Sequence, residues 1–215
     1  MGRSIVHDLG SPRRPVACAI CAVRGLSADH LLDLCELGVD FVQLRDREVS
    51  DRDFERFLDG LASRAGDVLS RIIVNDRLAL AAAFPVAGAH LPEAGLPVAA
   101  VRSRFPRGRL LIGRSVHGVE AAVAAEEEGA DYVILGPVAP TGGKRPLPPD
   151  VFRETCRRLR IPVWVVGGLT PENLERLQGV GVSGFAAIRS FRDVRRASAF
   201  VARCSDLRPV QQPVQ

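Results

Sequence analysis

Aromatic side chains are scarce in this chain: one Trp, one Tyr and nine Phe among 215 residues. A nucleic-acid-binding surface combines a clustered basic face with aromatics that stack on bases. Here the formal net charge is +4, and the arginines that supply almost all of it are scattered among acids. The composition argues against a nucleic-acid partner. It fits a solvated surface with a few arginines kept for anionic ligands. No apolar run approaches the ~20 residues that cross a bilayer, so no membrane association is expected. Residues 1–10 mix charged and apolar types and lack the apolar core of a secretory leader.

Cysteine is equally uninformative as a framework. There are five, an odd number, at Cys18, Cys21, Cys35, Cys156 and Cys204. Cys18 and Cys21 have CxxC spacing, which redox and metal sites use. No second CxxC or neighbouring His completes a zinc site, and both lie in the apolar run 16–21. They read as buried thiols of a strand in a reducing, cytoplasmic setting. A GxGxxG after the first strand is also missing, which weakens a dinucleotide-binding reading.

What is present is an alternation. Short β-branched runs at 16–21, 41–44, 72–74, 88–91, 110–113, 132–135, 163–166 and 185–188 read as strands. Between and after them, helical periodicity predicts helices over 27–37, 50–65, 77–83, 97–105, 119–128, 149–159, 170–178 and 194–204. Ser27, Ser50 and Thr170 stand as N-caps, and Pro171 sits at N1 of its helix. Several strands are almost purely apolar, as parallel strands buried on both faces are. Eight βα units in sequence predict an α/β fold, a single (β/α)8 TIM barrel spanning 16–204. Flexible extensions are expected at 1–15 and 205–215. The length suits a compact barrel, since such folds need roughly 200–250 residues.

Active sites of these barrels lie at the C-terminal ends of the strands, and here those ends are polar. Strand two runs into Gln43, Arg45, Asp46 and Arg47, and strand three into Asn75, Asp76 and Arg77. Strand four carries His90 and is followed by Glu93. Strand five is followed by Arg114, Ser115 and His117. Strand six leads to Gly136, Pro137, Thr141 and Lys144, strand seven to Gly167 and Gly168, and strand eight to Ile188, Arg189 and Ser190. Gly167 and Gly168, with the end of strand eight, predict a phosphate site. Glycine lets backbone amides approach phosphate oxygens, and the following helix would add a positive dipole end. Arg45 and Arg47 could bind an anion from one face, or form a surface pair with Asp46. Lys144 in its Gly-rich loop suits phosphate or carboxylate capture, or is simply solvated. His117 is the candidate general acid or base, because imidazole titrates near neutrality. His90 reads as a packing residue, and His7 and His30 as surface residues.

The ordered segments 42–45 (VQLR), 74–77 (VNDR), 90–92 (HLP), 113–117 (GRSVH), 129–133 (GADYV), Gly136-Pro137 with Thr141 and Lys144, and 166–171 (VGGLTP) resemble the thiamine phosphate synthase/TenI family. The likeness runs from about residue 16 to 200, and the family fold is a (β/α)8 barrel. The resemblance implies one of two activities. The synthase joins a pyrimidine pyrophosphate to a thiazole phosphate with Mg2+. The TenI branch is a thiazole tautomerase that moves a proton on a carboxylated thiazole phosphate and needs no metal cofactor. Gln43, Arg45 and Asn75 match pyrimidine pyrophosphate contacts of the synthase, and Arg47 stands where it has Lys. Asp76 matches one Mg2+ ligand. The second acidic ligand is replaced by Gly95, with Glu93 two residues early, and one Asp alone makes a poor Mg2+ site. HLP followed by RSVH is similar to the tautomerase branch, where the residue matching His117 is the proton shuttle. The resemblance thus implies a tautomerase. In it His117 acts on a substrate that Arg45 and Lys144 position, and Ser115, Thr141, Gly167, Gly168 and the 188–190 backbone help to bind it. A Mg2+-dependent synthase using Asp76 and Glu93 is the first alternative, and a non-catalytic regulator binding thiazole or thiamine phosphate the second. A homodimer is implied as well.

Overall fold

The computed structural model describes residues 14–207 and is a closed, all-parallel barrel of eight strands in sequence order. The strands are β1 (Val16–Cys21), β2 (Phe41–Leu44), β3 (Ile72–Asn75), β4 (Gly88–Leu91), β5 (Leu111–Val116), β6 (Tyr132–Leu135), β7 (Val163–Val166) and β8 (Gly184–Ala187). The helices are α1 (Ala28–Glu36), α2 (Asp51–Ala65), α3 (Leu78–Ala83), α4 (Val98–Arg104), α5 (Val119–Glu127), α6 (Pro149–Arg158) and α7 (Val194–Asp206). The expected (β/α)8 barrel is the observed one. Ser27 and Ser50 cap α1 and α2, accepting from the amides of His30 and Asp53.

Three elements differ from expectation. The crossover from β7 to β8 contains no α-helix, only a 3-10 segment at Leu174–Leu177. Asn173 explains this. Its Oδ1 accepts from the Thr170 amide at 2.9 Å and its Nδ2 donates to Gly168 O at 2.8 Å, so the side chain fastens a turn where a helix would begin. Thr170 is therefore not an N-cap, and the helix dipole expected beside Gly167 and Gly168 is missing. Strand β5 runs on through Arg114, Ser115 and Val116, because residues 113–116 pair with β6 over Tyr132–Leu135. At the ends, Arg14 is tied to Asp40 (2.9 Å) and to Gly38 O (2.6 Å), and α7 continues to Asp206. Most of the two expected extensions, and His7, lie outside the described residues.

The alternation of each strand separates two apolar layers. Outward residues such as Val42, Val74, Ile112 and Val133 pack under the helices. Inward residues fill the barrel with Phe41, Tyr132 and Trp164. Tyr132 stacks on Trp164 at 4.1 Å between ring centroids, and Phe41 on Trp164 at 5.5 Å. Glycine makes room for these rings. A Cβ on Gly184 would lie 2.7 Å from Trp164 Cδ1, and one on Gly113 would collide with the Tyr132 ring. Cys18 and Cys21 belong to this wall, and burial pushes the Cys21 thiol up to about 12, leaving it unreactive. The aromatic plug fills the lower barrel, and a ligand-sized cavity lies at the upper ends of the strands.

Candidate active site

Above the plug, the inward positions become polar. Gln43, Asn75 and His90 are buried there, and Ser115 and His117 continue the inward face of β5. A cavity of about 490 Å3 opens at this end, within the usual range for small-ligand sites. Arg45, His117 and Lys144 all line it, so the three candidate catalytic side chains are brought together. So are Thr141, Gly167, Gly168, Ile188 and Arg189. Gln43, Asn75, Ser115, Ser190, Arg47 and Asp76 lie outside that lining. Arg192 lines the cavity too and was not anticipated, because it sits beyond the strand end at the approach to α7. With Arg45, Lys144 and Arg189, it makes the cavity strongly cationic.

The candidate phosphate site is built from backbone. Gly167 and Gly168 have φ of +100° and +69°, in the region that favours glycine. The neighbouring loop forces the same choice: the Ala139 amide donates to Gly167 O at 3.0 Å, and a Cβ on Gly167 would lie 2.5 Å from Pro137 Cβ. Among the described residues, the amides of Gly167, Gly168, Ile188, Arg189 and Ser190 donate to no protein acceptor. The last two open the 3-10 turn Arg189–Phe191, the short extra helix that barrels of this type place beside a phosphate. The Ser190 hydroxyl is used elsewhere, donating to Leu169 O at 3.1 Å, which leaves only its amide for a ligand. His30 is not a free surface residue: its Nε2 is 2.8 Å from Phe191 O and ties α1 to this turn.

The cationic side chains stand on stiffened loops. Asp46 pairs with neither Arg45 nor Arg47. It is buried and accepts from the amides of Arg24 (3.0 Å) and Glu48 (3.1 Å), which shapes the loop after β2. Burial acts to raise its pKa, but these amides and Arg24 outweigh it, and the net shift is downward. Arg77 fastens the same loop from β3, donating to the carbonyls of Asp46 and Val49 at 2.7 Å each. Arg45 has its pKa lowered by partial burial and by the like charge of Arg47. Lys144, the only lysine of the chain, ends a tight turn rather than a loose loop. Its backbone pairs with that of Thr141, and Gly142 and Gly143 between them both have positive φ, the pattern of a type I′ hairpin turn.

His117 is oriented from behind. Its Nδ1 lies 2.5 Å from Gly136 O. A carbonyl only accepts, so Nδ1 carries hydrogen and Nε2 holds the lone pair of the neutral ring. Glu93 Oε2 stands 3.5 Å from that Nε2. The Glu93 loop is itself held, since Arg114 donates to the carbonyls of Glu93 (2.7 Å) and Leu96 (2.8 Å). His90 sits lower, with Nε2 2.8 Å from Ser115 Oγ and Nδ1 3.3 Å from the Tyr132 hydroxyl. Burial, then the charges of Arg45 and Arg114, push its pKa down to about 3, so it is neutral.

Asp76 has a φ of +66°, alone among the described non-glycine residues, and its carboxylate makes no hydrogen bond or ion pair among them. Outside glycine this conformation is uncommon, and Asp is one of the side chains that tolerate it. The residues do not, however, fit a protein-built Mg2+ site. Gly95 supplies no ligand and Glu93 lies beside His117, which leaves Asp76 alone where a pair of carboxylates is expected.

A family profile described as thiamine monophosphate synthase matches residues 17–191. The chain belongs to the thiamine monophosphate synthase/TenI family. It is accordingly an enzyme of thiamine biosynthesis. A thiamine-phosphate synthase of Chlorobium luteolum is 35% identical over 184 residues, covering 84% of this chain and 86% of that one. One from Enterococcus faecalis is 36% identical over 156 residues, covering 72% and 74%. The solved thiamine phosphate pyrophosphorylase of Pyrococcus furiosus superposes with a TM-score of 0.78 at 26% identity, covering 90% of this chain and 97% of its own. The names of these family members favour condensation, the activity ranked second on sequence, over tautomerisation. No helix among the described residues is long and apolar enough to cross a membrane.

Proposed function

We propose that this family member is a thiazole tautomerase acting on a carboxylated thiazole phosphate. The observation that carries the reading is the aim of His117. With Nδ1–H committed to Gly136 O, Nε2 is the position left to exchange a proton, and the ring lines the cavity. The imidazolium formed would face Glu93 at 3.5 Å. The five free amides of the 167–168 and 188–190 segments hold the phosphate, and Arg45 and Lys144 the carboxylate. His117 takes a proton from a ring carbon and returns it to the exocyclic carbon, while the electron pair moves into the ring to complete the aromatic system. Nothing else is consumed. A cytoplasmic, homodimeric protein goes with this reading.

A second reading, Mg2+-dependent thiamine phosphate synthase, is favoured by the names of the relatives and by the presence of Gln43, Arg45, Asn75 and Asp76. One pair of assays separates the two. Purified protein is given either the carboxythiazole phosphate tautomer without metal, or the pyrimidine pyrophosphate and thiazole phosphate with Mg2+. Tautomerisation that survives chelator, without thiamine phosphate formation, is the expected result. Robust thiamine phosphate formation abolished by chelator would overturn the proposal in favour of the synthase.

A further inference from the structure

The hydroxyl of Ser115, an expected substrate contact, is the upper end of a buried chain that runs through His90 to Tyr132, and none of the roles above uses His90 or Tyr132. Tyr132 is fully buried, and its hydroxyl has one partner among the described residues, His90 Nδ1 at 3.3 Å. His90 Nε2 in turn has one, Ser115 Oγ at 2.8 Å. Two polarities are open to such a chain. If Ser115 donated to His90, then Nδ1–H would donate to the phenolic oxygen, and the phenolic hydrogen would be left buried without an acceptor. An orphaned buried donor costs about 1–3 kcal/mol. The opposite polarity leaves no orphan: Tyr132 O–H donates to Nδ1, and Nε2–H donates to Ser115 Oγ. Ser115 then has its own hydrogen free; it lies outside the cavity lining but is partly exposed on the inward face of β5, two residues before His117, which does line the cavity. That spacing sets the two side chains roughly 7 Å apart along one wall.

We propose that Tyr132 and His90 are positioning residues that hold Ser115 as a hydrogen-bond donor to the substrate, opposite in role to the proton-accepting His117. This rests on the tautomerase reading. Removing a ring proton pushes charge toward the substrate carboxylate, and Ser115 O–H meets that charge in an orientation set before the substrate arrives. A donor fixed in advance costs no reorganisation when charge develops. The chain itself transfers no proton. It sets direction only, so the Tyr132 phenol and the His90 ring keep their protonation states through the reaction.

Two measurements test this. The first needs no turnover: 15N NMR of histidine-labelled protein reports the tautomer of His90. The expected signature is protonated Nε2 with unprotonated Nδ1, and in Tyr132→Phe, which deletes one oxygen and keeps the stacked ring, the Nδ1 resonance should move as its hydrogen bond is lost while Nε2 stays protonated. The reverse tautomer in the wild type would overturn the proposal. The second is a double-mutant cycle on tautomerase turnover. Ser115→Ala is expected to lower kcat about 100-fold, the scale of losing one preorganised donor. Tyr132→Phe should lower kcat at unchanged KM and add nothing in the Ser115→Ala background. His90→Gln supplies a second entry to the cycle if Tyr132→Phe folds poorly. Losses that multiply, or a Tyr132→Phe variant with wild-type kcat, would overturn the chain while leaving the tautomerase reading intact. A wild type that does not isomerise the tautomer would overturn both.

Discussion

Replacing Gly167 with Ala is expected to damage both the fold and the ligand site, and the structure sets the scale. A residue with a side chain held at the Gly167 φ of +100° carries backbone strain of about 1–3 kcal/mol. The new Cβ would lie 2.5 Å from Pro137 Cβ and 2.7 Å from Pro137 Cα. Those atoms belong to a ring and a backbone rather than to the end of a flexible side chain, so overpacking adds about 1–3 kcal/mol. A total near 4 kcal/mol, at about 2–4 °C per kcal/mol for a domain of this size, lowers Tm by about 8–16 °C. Relief comes only by moving the strand-seven loop outward, and that carries its free amides off the phosphate position. Each hydrogen bond lost in this way costs about 1 kcal/mol, or somewhat under tenfold in affinity. Gly143→Ala is the control, since Gly143 has a φ of +74° with nothing within 4 Å of a Cβ. It should cost only the backbone part, about 1–2 kcal/mol. Urea unfolding and calorimetric titration with thiazole phosphate measure both effects. A Gly167→Ala protein as stable as Gly143→Ala, with unchanged affinity, would refute the cradle.

Other consequences follow from single contacts. His117→Ala should lower kcat about 100- to 10,000-fold, the usual worth of a positioned acid–base group, with a far-UV spectrum and Tm close to wild type; near-normal turnover would remove His117 from the mechanism. His90 stability is linked to pH. Its folded pKa of about 3 lies below the ordinary 6.5, so the stability it contributes is complete above 6.5 and is lost as pH falls from there toward 3. Unfolding at pH 7 and pH 4 should therefore separate wild type from His90→Gln, the variant losing less on acidification. Asp46 behaves the same way at lower pH. Its folded pKa is depressed below 3.8, and its contribution is present above 3.8 and disappears as pH falls through the folded value. Asp46→Asn should thus be less stable than wild type at pH 6, with the gap narrowing toward pH 3. An unchanged gap would mean that its amide contacts do not depend on charge.

The comparison of sequence with structure divides along the range of the interactions. Local signals were enough for the eight strands, most helices and two helix caps, because alternation, periodicity and capping act over a few neighbouring residues. The polar strand ends lie at the open end of the barrel, and Arg45, His117, Lys144, Gly167 and Gly168 line one cavity there. The expected helix at 170–178 failed because the Asn173 side chain competes for Thr170 and Gly168, a choice that pattern alone does not display. Strand β5 was read too short because Arg114 and Ser115 look like loop residues until β6 is set beside them.

The sequence by itself determined the α/β alternation, the barrel and the family, since each rests on short motifs in order. Only the tertiary structure decided what those residues do to one another. Asp46 proved to be a buried loop anchor, Glu93 a neighbour of His117, Arg192 part of the cavity wall, and His90 the link between Tyr132 and Ser115. The physical reason is the same in each case. Hydrogen-bond polarity, free backbone amides and pKa shifts depend on groups brought together across strands from 25 to 42 residues apart, as with Ser115 and Tyr132 around His90. Closure of the barrel sets those distances.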